Sequence, residues 1–270
     1  MDETKIVGVD FECPSCKKNS EQSKKIPVLN IIQKLDSLFS KNDLTGAKNL
    51  LDYWQKEAVM IGDREGELSI VNELLGVTRK MEDKENAIKT IDRALLLIDE
   101  LGMENSIDGA TILVNVATTC NSIGLLARCA PIYERAYKVY ESNLDEEDIR
   151  FVSLLNNYAT TLVDLKEYDK ALSLYLKAIS YTQMDVDRFL DCAVTYVNIA
   201  HLFEKIEGLE SEHITWCMDN AEKLMESELI ERDGKYAFVC DKLAPSFDLF
   251  GYFYFAQVLY ERAREIYEGN

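Results

Sequence analysis

Proline and glycine are scarce in this chain, at 4 and 12 of its 270 residues. That scarcity argues against an all-β fold, which needs many tight turns, and suits long helices joined by short connections. Basic residues are outnumbered, 30 against 48 acids, giving a net charge of −18. Nucleic acid and anionic lipid attract basic surfaces, so both are poor partners for this chain. The acidity is read as the solvated face of a helical protein, with a basic ligand steered by that field as the alternative. No apolar run approaches the ~18 residues needed to cross a bilayer. The opening Met1-Asp2-Glu3-Thr4-Lys5 lacks the basic leader and apolar block of a secretory signal. There is no Gly-rich phosphate loop and no zincin motif. Histidine occurs twice, at His201 and His213, with no nucleophile placed beside either by the sequence. The expectation is a non-enzymatic protein without a cofactor.

What is present is a repeat. Small or apolar residues recur seven apart as Ala47/Trp54, Ala87/Ala94, Cys129/Ala136, Ala171/Ala178, Ile214/Ala221 and Ala256/Ala263. The second members step by 40, 42, 42, 43 and 42 residues. Residues four and seven apart share one helix face. A fixed period of this length marks stacked supersecondary units, none of which can bury its apolar face alone. The expected fold is therefore all-α, a right-handed α-α superhelix of about six helix pairs. Its approximate units are 27–65, 66–107, 108–146, 147–184, 185–232 and 233–270. Residues 1–26, polar and without periodicity, form an expected flexible tail.

In the fourth unit Leu155, Tyr158, Ala159 and Leu162 stripe the first helix, and Ala171, Tyr175 and Ala178 the second. The third repeats the arrangement with Leu113, Val116, Ala117 and Cys120, then Cys129, Tyr133 and Ala136. This chain resembles the tetratricopeptide repeat family. It has a small residue in helix A, a turn tyrosine, then Ala-x-x-x-Tyr-x-x-Ala in helix B, with Lys166 standing where the family's turn glycine belongs. The long period is similar to that of kinesin light chains, which share the Leu-Asn-Asn-x-Ala seen at Leu155 to Ala159. The resemblance covers roughly residues 27–270. No heptad coiled coil accompanies it, so a motor-adaptor role does not carry over.

The resemblance implies a partner held on the concave side. Asn115, Asn157 and Asn198 each stand two residues before the small residue of helix A, at Ala117, Ala159 and Ala200. An amide offers two donors and one acceptor, so it can clamp a peptide backbone. In peptide-binding members of the family asparagine at this slot does so. The alternative is a surface amide bonded to its neighbours or to water. The same face is expected to hold Asn156, Thr118, Asn121, Thr160, Asp164, His201 and Lys205, with Asn72, Arg79 and Lys80 toward the N-terminal side. The expected ligand is an extended peptide, with an acidic group near Arg79, Lys80 and Lys205. A signalling-peptide sensor is the second reading.

Seven cysteines are present, five of them (Cys120, Cys129, Cys192, Cys217, Cys240) at apolar helix positions, which fits a reducing cytoplasm. Cys13 and Cys16 have half the ligands of a structural zinc site and no second Cys-x-x-Cys. They are read as a tail pair without function, with a metal shared with another chain or redox work as alternatives. The sixth unit gathers Phe247, Phe250, Tyr252, Phe253, Tyr254, Phe255 and Tyr260. These rings either fold beneath the last helix or form a surface for self-association.

Overall fold

The structure, a computed structural model, describes residues 24–145 and 148–269. Cys13 and Cys16 lie outside them. The described residues form twelve α-helices: α1 (Val28–Phe39), α2 (Leu44–Ile61), α3 (Arg64–Lys80), α4 (Lys84–Glu100), α5 (Ile107–Ser122), α6 (Leu126–Asn143), α7 (Ile149–Asp164), α8 (Tyr168–Thr182), α9 (Phe189–Glu207), α10 (Glu212–Met225), α11 (Gly234–Leu249) and α12 (Phe253–Glu268). Odd-numbered helices are the A helices of successive hairpins and even-numbered ones the B helices. None is long and apolar enough to cross a membrane. The chain divides into two compact units between Glu73 and Leu74, within α3.

Helix starts follow from capping residues. Asp43, Asp83, Ser106, Asp148, Ser211 and Asp233 each accept a hydrogen bond from a backbone N–H two or three residues on. Helix A ends by one device in five of the six hairpins, α9 differing in that Gly208 combines positive φ with an extended ψ of 179°. The residue before the turn takes positive φ at Asn42, Glu82, Gly124, Lys166, Gly208 and Gly251. In the fourth hairpin the N–H of Glu167 then bonds back to the carbonyl of Leu162, as Leu125 does to Cys120 in the third. Such a 6→1 bond satisfies a carbonyl left over at the helix end. The turn thus keeps its left-handed geometry even where lysine replaces glycine, at the steric cost of a Cβ in that region.

In the first unit α1 buries Ile31 and Leu35, and α2 buries Ala47, Leu51 and Ala58. Asp63 ties its ends together. One carboxylate oxygen accepts from the N–H of Ile26 and the other from that of Gly66.

The second unit stacks hairpins. Each of α5, α7, α9 and α11 packs on its own B helix, each of α4, α6 and α8 packs on the A helix that follows, and α5, α7, α9 and α11 touch one another in sequence. The A helices therefore form a wall and the B helices a second layer. Ala94, Ala136, Ala178, Ala221 and Ala263, one per B helix, are essentially inaccessible. A methyl there lets helix backbones approach, and tyrosines fill the space beside them. Tyr133 stacks on Tyr158 of the next A helix at 5.5 Å, and Tyr140 meets Phe151 edge-on at 5.9 Å. Desolvation pushes the hydroxyls of Tyr133 and Tyr175 up to about 12, so both stay neutral donors at ordinary pH.

The five described cysteines are buried free thiols. Burial pushes Cys217 up to about 12 and Cys240 up to about 11, which leaves them inert as nucleophiles.

Candidate functional site on the wall of A helices

Along α5, α7, α9 and α11 the residue two before the small residue holds one register position. Counting back from Ala117, Ala159, Ala200 and Ala244 gives Asn115, Asn157, Asn198 and Lys242. The fourth rung is thus a lysine, overlooked by a search for asparagine although the register alone locates it. The residues six before the small residue are Thr111, Ser153, Val194 and Phe238, and those nine before are Asp108, Arg150, Asp191 and Lys235.

Three successive A helices bring these rungs together. A cleft of about 370 Å³ is lined by Val152, Ser153, Asn156 and Asn157 of α7, Asp191 and Val194 of α9, and Lys235, Phe238, Val239 and Lys242 of α11. No B helix contributes, so the cleft lies on the A-helix wall. Phe238 is 62 % exposed, so its ring is open to a ligand. Lys235 Nζ stands 3.3 Å from Asp191 Oδ2. The two lysines make this stretch of an acidic protein locally cationic. A second depression, about 470 Å³ between α8, α9 and α10, contains one lysine, Lys223, and none of the rungs.

The asparagines divide into different jobs. Asn157 is half-buried at the cleft, and its side-chain amide makes no hydrogen bond among the described residues; its backbone carbonyl accepts from Thr161 Oγ1. Asn156 was expected beside it on the binding face, yet it is buried and all its polar atoms are used. Its Nδ2 donates to Val152 O at 3.1 Å and to Thr195 Oγ1 at 2.9 Å, and its Oδ1 accepts from Asn198 Nδ2 at 2.9 Å. One residue is a 100° turn of the helix, so Asn156, though it also lines the cleft, is buried and spends its side-chain amide in the α7–α9 seam. Asn198 is its partner there and is half-buried. Asn115 is half-buried too and accepts through its backbone carbonyl from Thr119 Oγ1.

Thr118 and Thr160, also expected in the groove, bond inward. Thr118 Oγ1 donates to Val114 O and sits 2.9 Å from the hydroxyl of Tyr133; Thr160 does the same with Asn156 O and Tyr175. These 42-residue equivalents lock helix A to helix B within a hairpin. In the fifth hairpin the slot holds His201, whose Nε2 lies 2.9 Å from Ser246 Oγ on α11. Burial holds its imidazole below the usual histidine range, against the opposing pull of Glu204. Lys205 is exposed beside Glu204, Asn121 is half-buried, and Asp164 is exposed. Arg79 is half-buried and Lys80 exposed at the end of α3, neither lines the cleft, and Asn72 belongs to the first unit.

Comparison with known proteins agrees with this architecture. Residues 152–183 match the family model described as tetratricopeptide repeat. No curated protein matches the sequence. Among solved structures, BtubC (BKLC) from P. vanneervenii is similar with a TM-score of 0.55 at 18 % identity, covering 85 % of this chain and 91 % of that one. A putative kinesin light chain from Podosopora anserina with nearly identical TPR-like repeats is similar at 0.54 and 12 % identity, covering 73 % and 92 %. At these identities the likeness is one of fold.

Proposed function

Because the chain carries a tetratricopeptide repeat and has the fold of tetratricopeptide-repeat solenoids, we propose that it is a non-enzymatic scaffold holding an extended peptide on the A-helix wall. The single observation behind this reading is the cleft shared by α7, α9 and α11, where an uncommitted amide, an exposed phenylalanine and two lysines converge. Asn157 clamps the peptide backbone, Phe238 and Val194 receive an apolar side chain, and Lys242 meets a carboxylate. The helices are set before the ligand arrives, which limits the ordering cost of binding to the peptide.

Short unstructured peptides selected from a random displayed library test the proposal by calorimetric titration. The parent binds the selected peptides. Asn157→Ala combined with Lys242→Ala weakens binding by about 10-fold or more, which corresponds to some 1.4 kcal/mol, with no change in melting temperature. Asn156→Ala serves as the contrast. It removes the α7–α9 hydrogen bonds and lowers stability by roughly 1–3 kcal/mol. Equal binding by the parent and the Asn157/Lys242 variant contradicts the proposal, as does a library that yields no binder.

A further inference from the structure

One slot of the A helices governs whether the gap between neighbouring B helices is closed. Eight residues before the small residue stand Phe151 in α7, Cys192 in α9 and Tyr236 in α11. Both rings are buried and plug their gaps. Phe151 meets Tyr137 and Tyr140 of α6 at 5.7 and 5.9 Å, and Tyr181 of α8 at 6.2 Å. Tyr236 donates to Met225 O of α10 at 3.3 Å and accepts from Arg262 Nη1 of α12 at 2.9 Å. In α5 the slot is Gly109, and the carbonyl of Met103 packs against it instead. Cys192 brings no ring, and there the depression of about 470 Å³ opens between α8, α9 and α10. That volume falls within the range of small-molecule sites.

A second slot points to what fills the space. Four residues before the small residue stand Leu113, Leu155 and Cys240, all sealed and apolar, whereas α9 has Tyr196. Packing at this level asks for an apolar group, so the hydroxyl is an addition. Tyr196 is 8 % exposed, its ring edge-on to Trp216 at 5.4 Å, and its hydroxyl makes no hydrogen bond among the described residues. Every sealed side-chain nitrogen or oxygen among those residues has a partner. The Tyr196 hydroxyl is therefore not sealed, and it opens on the cavity that the residue lines. A nearly buried hydroxyl without a partner is costly, and an acceptor on a ligand satisfies it.

We propose that this cavity binds a small aromatic carboxylate. A flat ring takes the space that Phe151 and Tyr236 fill in the neighbouring hairpins, against Phe189 and Leu224. The Tyr196 hydroxyl, kept neutral by burial, donates to the carboxylate. Lys223 is exposed and is the one charged residue among those lining the cavity, so it supplies the counter-charge. A cationic ligand would find no carboxylate among the lining residues, which selects an acid. The site shares no residue with the cleft of α7, α9 and α11, so it stands independently of the peptide reading.

A chemical-shift titration of the full labelled chain with 2-naphthoate tests the proposal, with 2-naphthylmethanol as the uncharged counterpart. Backbone amides from Phe189 to Tyr196 and from Asn220 to Ser227 shift most. They saturate with a dissociation constant on the order of 0.1–1 mM, as expected for a ligand of this size. The alcohol binds several-fold more weakly. Tyr196→Phe breaks no internal bond, so it melts at the parent's temperature, yet it weakens naphthoate binding several-fold. Cys192→Phe supplies the ring of the neighbouring hairpins. It keeps or raises the parent's melting temperature and binds at least about 10-fold more weakly. A parent without saturable shifts overturns the proposal, as does equal affinity for the alcohol or in Tyr196→Phe. A Cys192→Phe chain that melts well below the parent overturns it too, because the slot would already have been full.

Discussion

Replacing Tyr175 by alanine lowers the free energy of unfolding by about 3–5 kcal/mol, the range for removing a large aromatic from a packed core. The residue is 1 % exposed and belongs to the cluster that α8, α9 and their neighbours bury in common. No other side chain at this level can fill the gap, because Ala171 and Ala178 flank it on the same helix. Its hydroxyl also ends the bond to Thr160 that joins α7 to α8. Tyr175→Phe separates the two contributions. It keeps the ring and removes only the hydroxyl bond, at a cost of about 1 kcal/mol, and Thr160 retains its bond to Asn156 O. Stability in such an array is a sum of hairpin and interface contributions, so the alanine variant loosens both α7 and α9. Urea unfolding followed by circular dichroism reads both variants. Equal losses in the two would mean that the ring contributes little packing.

Gly109→Ala is the second large effect, and its sign runs against helix propensity. Glycine in a helix interior is ordinarily worse than alanine by roughly 0.5–1 kcal/mol. At Gly109, in the first turn of α5, an added Cβ stands 2.0 Å from the backbone carbonyl oxygen of Met103. That carbonyl cannot swing aside, because it also accepts from the N–H and the hydroxyl of Ser106, the residue capping α5. Either the loop between α4 and α5 or the start of α5 must move. The expected loss is about 2–3 kcal/mol, in the range of overpacked cores. Gly76→Ala in α3 is the control: nothing lies within 4 Å of its added Cβ, so the substitution stabilises by about 0.5–1 kcal/mol. Thermal melts of the two variants moving in opposite directions establish the point. A neutral Gly109→Ala would contradict the tight α4–α5 loop.

Period and phase were readable from residues alone. The alanines at 94, 136, 178 and 263 declare a helix face because methyl groups are the only side chains that let neighbouring backbones come that close. The turns were readable too, apart from Lys166, where the spacing shows the turn and the residue type hides it. The binding face was harder to read. Thr118 and Thr160 have the right phase for the wall, but each hydroxyl finds a tyrosine fifteen residues later, a pairing that helix periodicity does not display. Asn156 and Asn157 are adjacent and chemically identical, and only the position of Thr195 and Asn198 on α9 decides which one is tied into the seam. Lys242 was hidden for the opposite reason: it occupies the asparagine slot with a different chemistry.

The central claim is that the wall of A helices, at α7, α9 and α11, receives the peptide. The most direct measurement is a map of backbone amide shifts in isotopically labelled protein as a library-selected peptide is added. The account predicts the largest changes from Val152 to Asn157, around Asp191 and Val194, and from Lys235 to Lys242. Changes confined to the B helices α8 and α10, or to the aromatic face of α12, would contradict it.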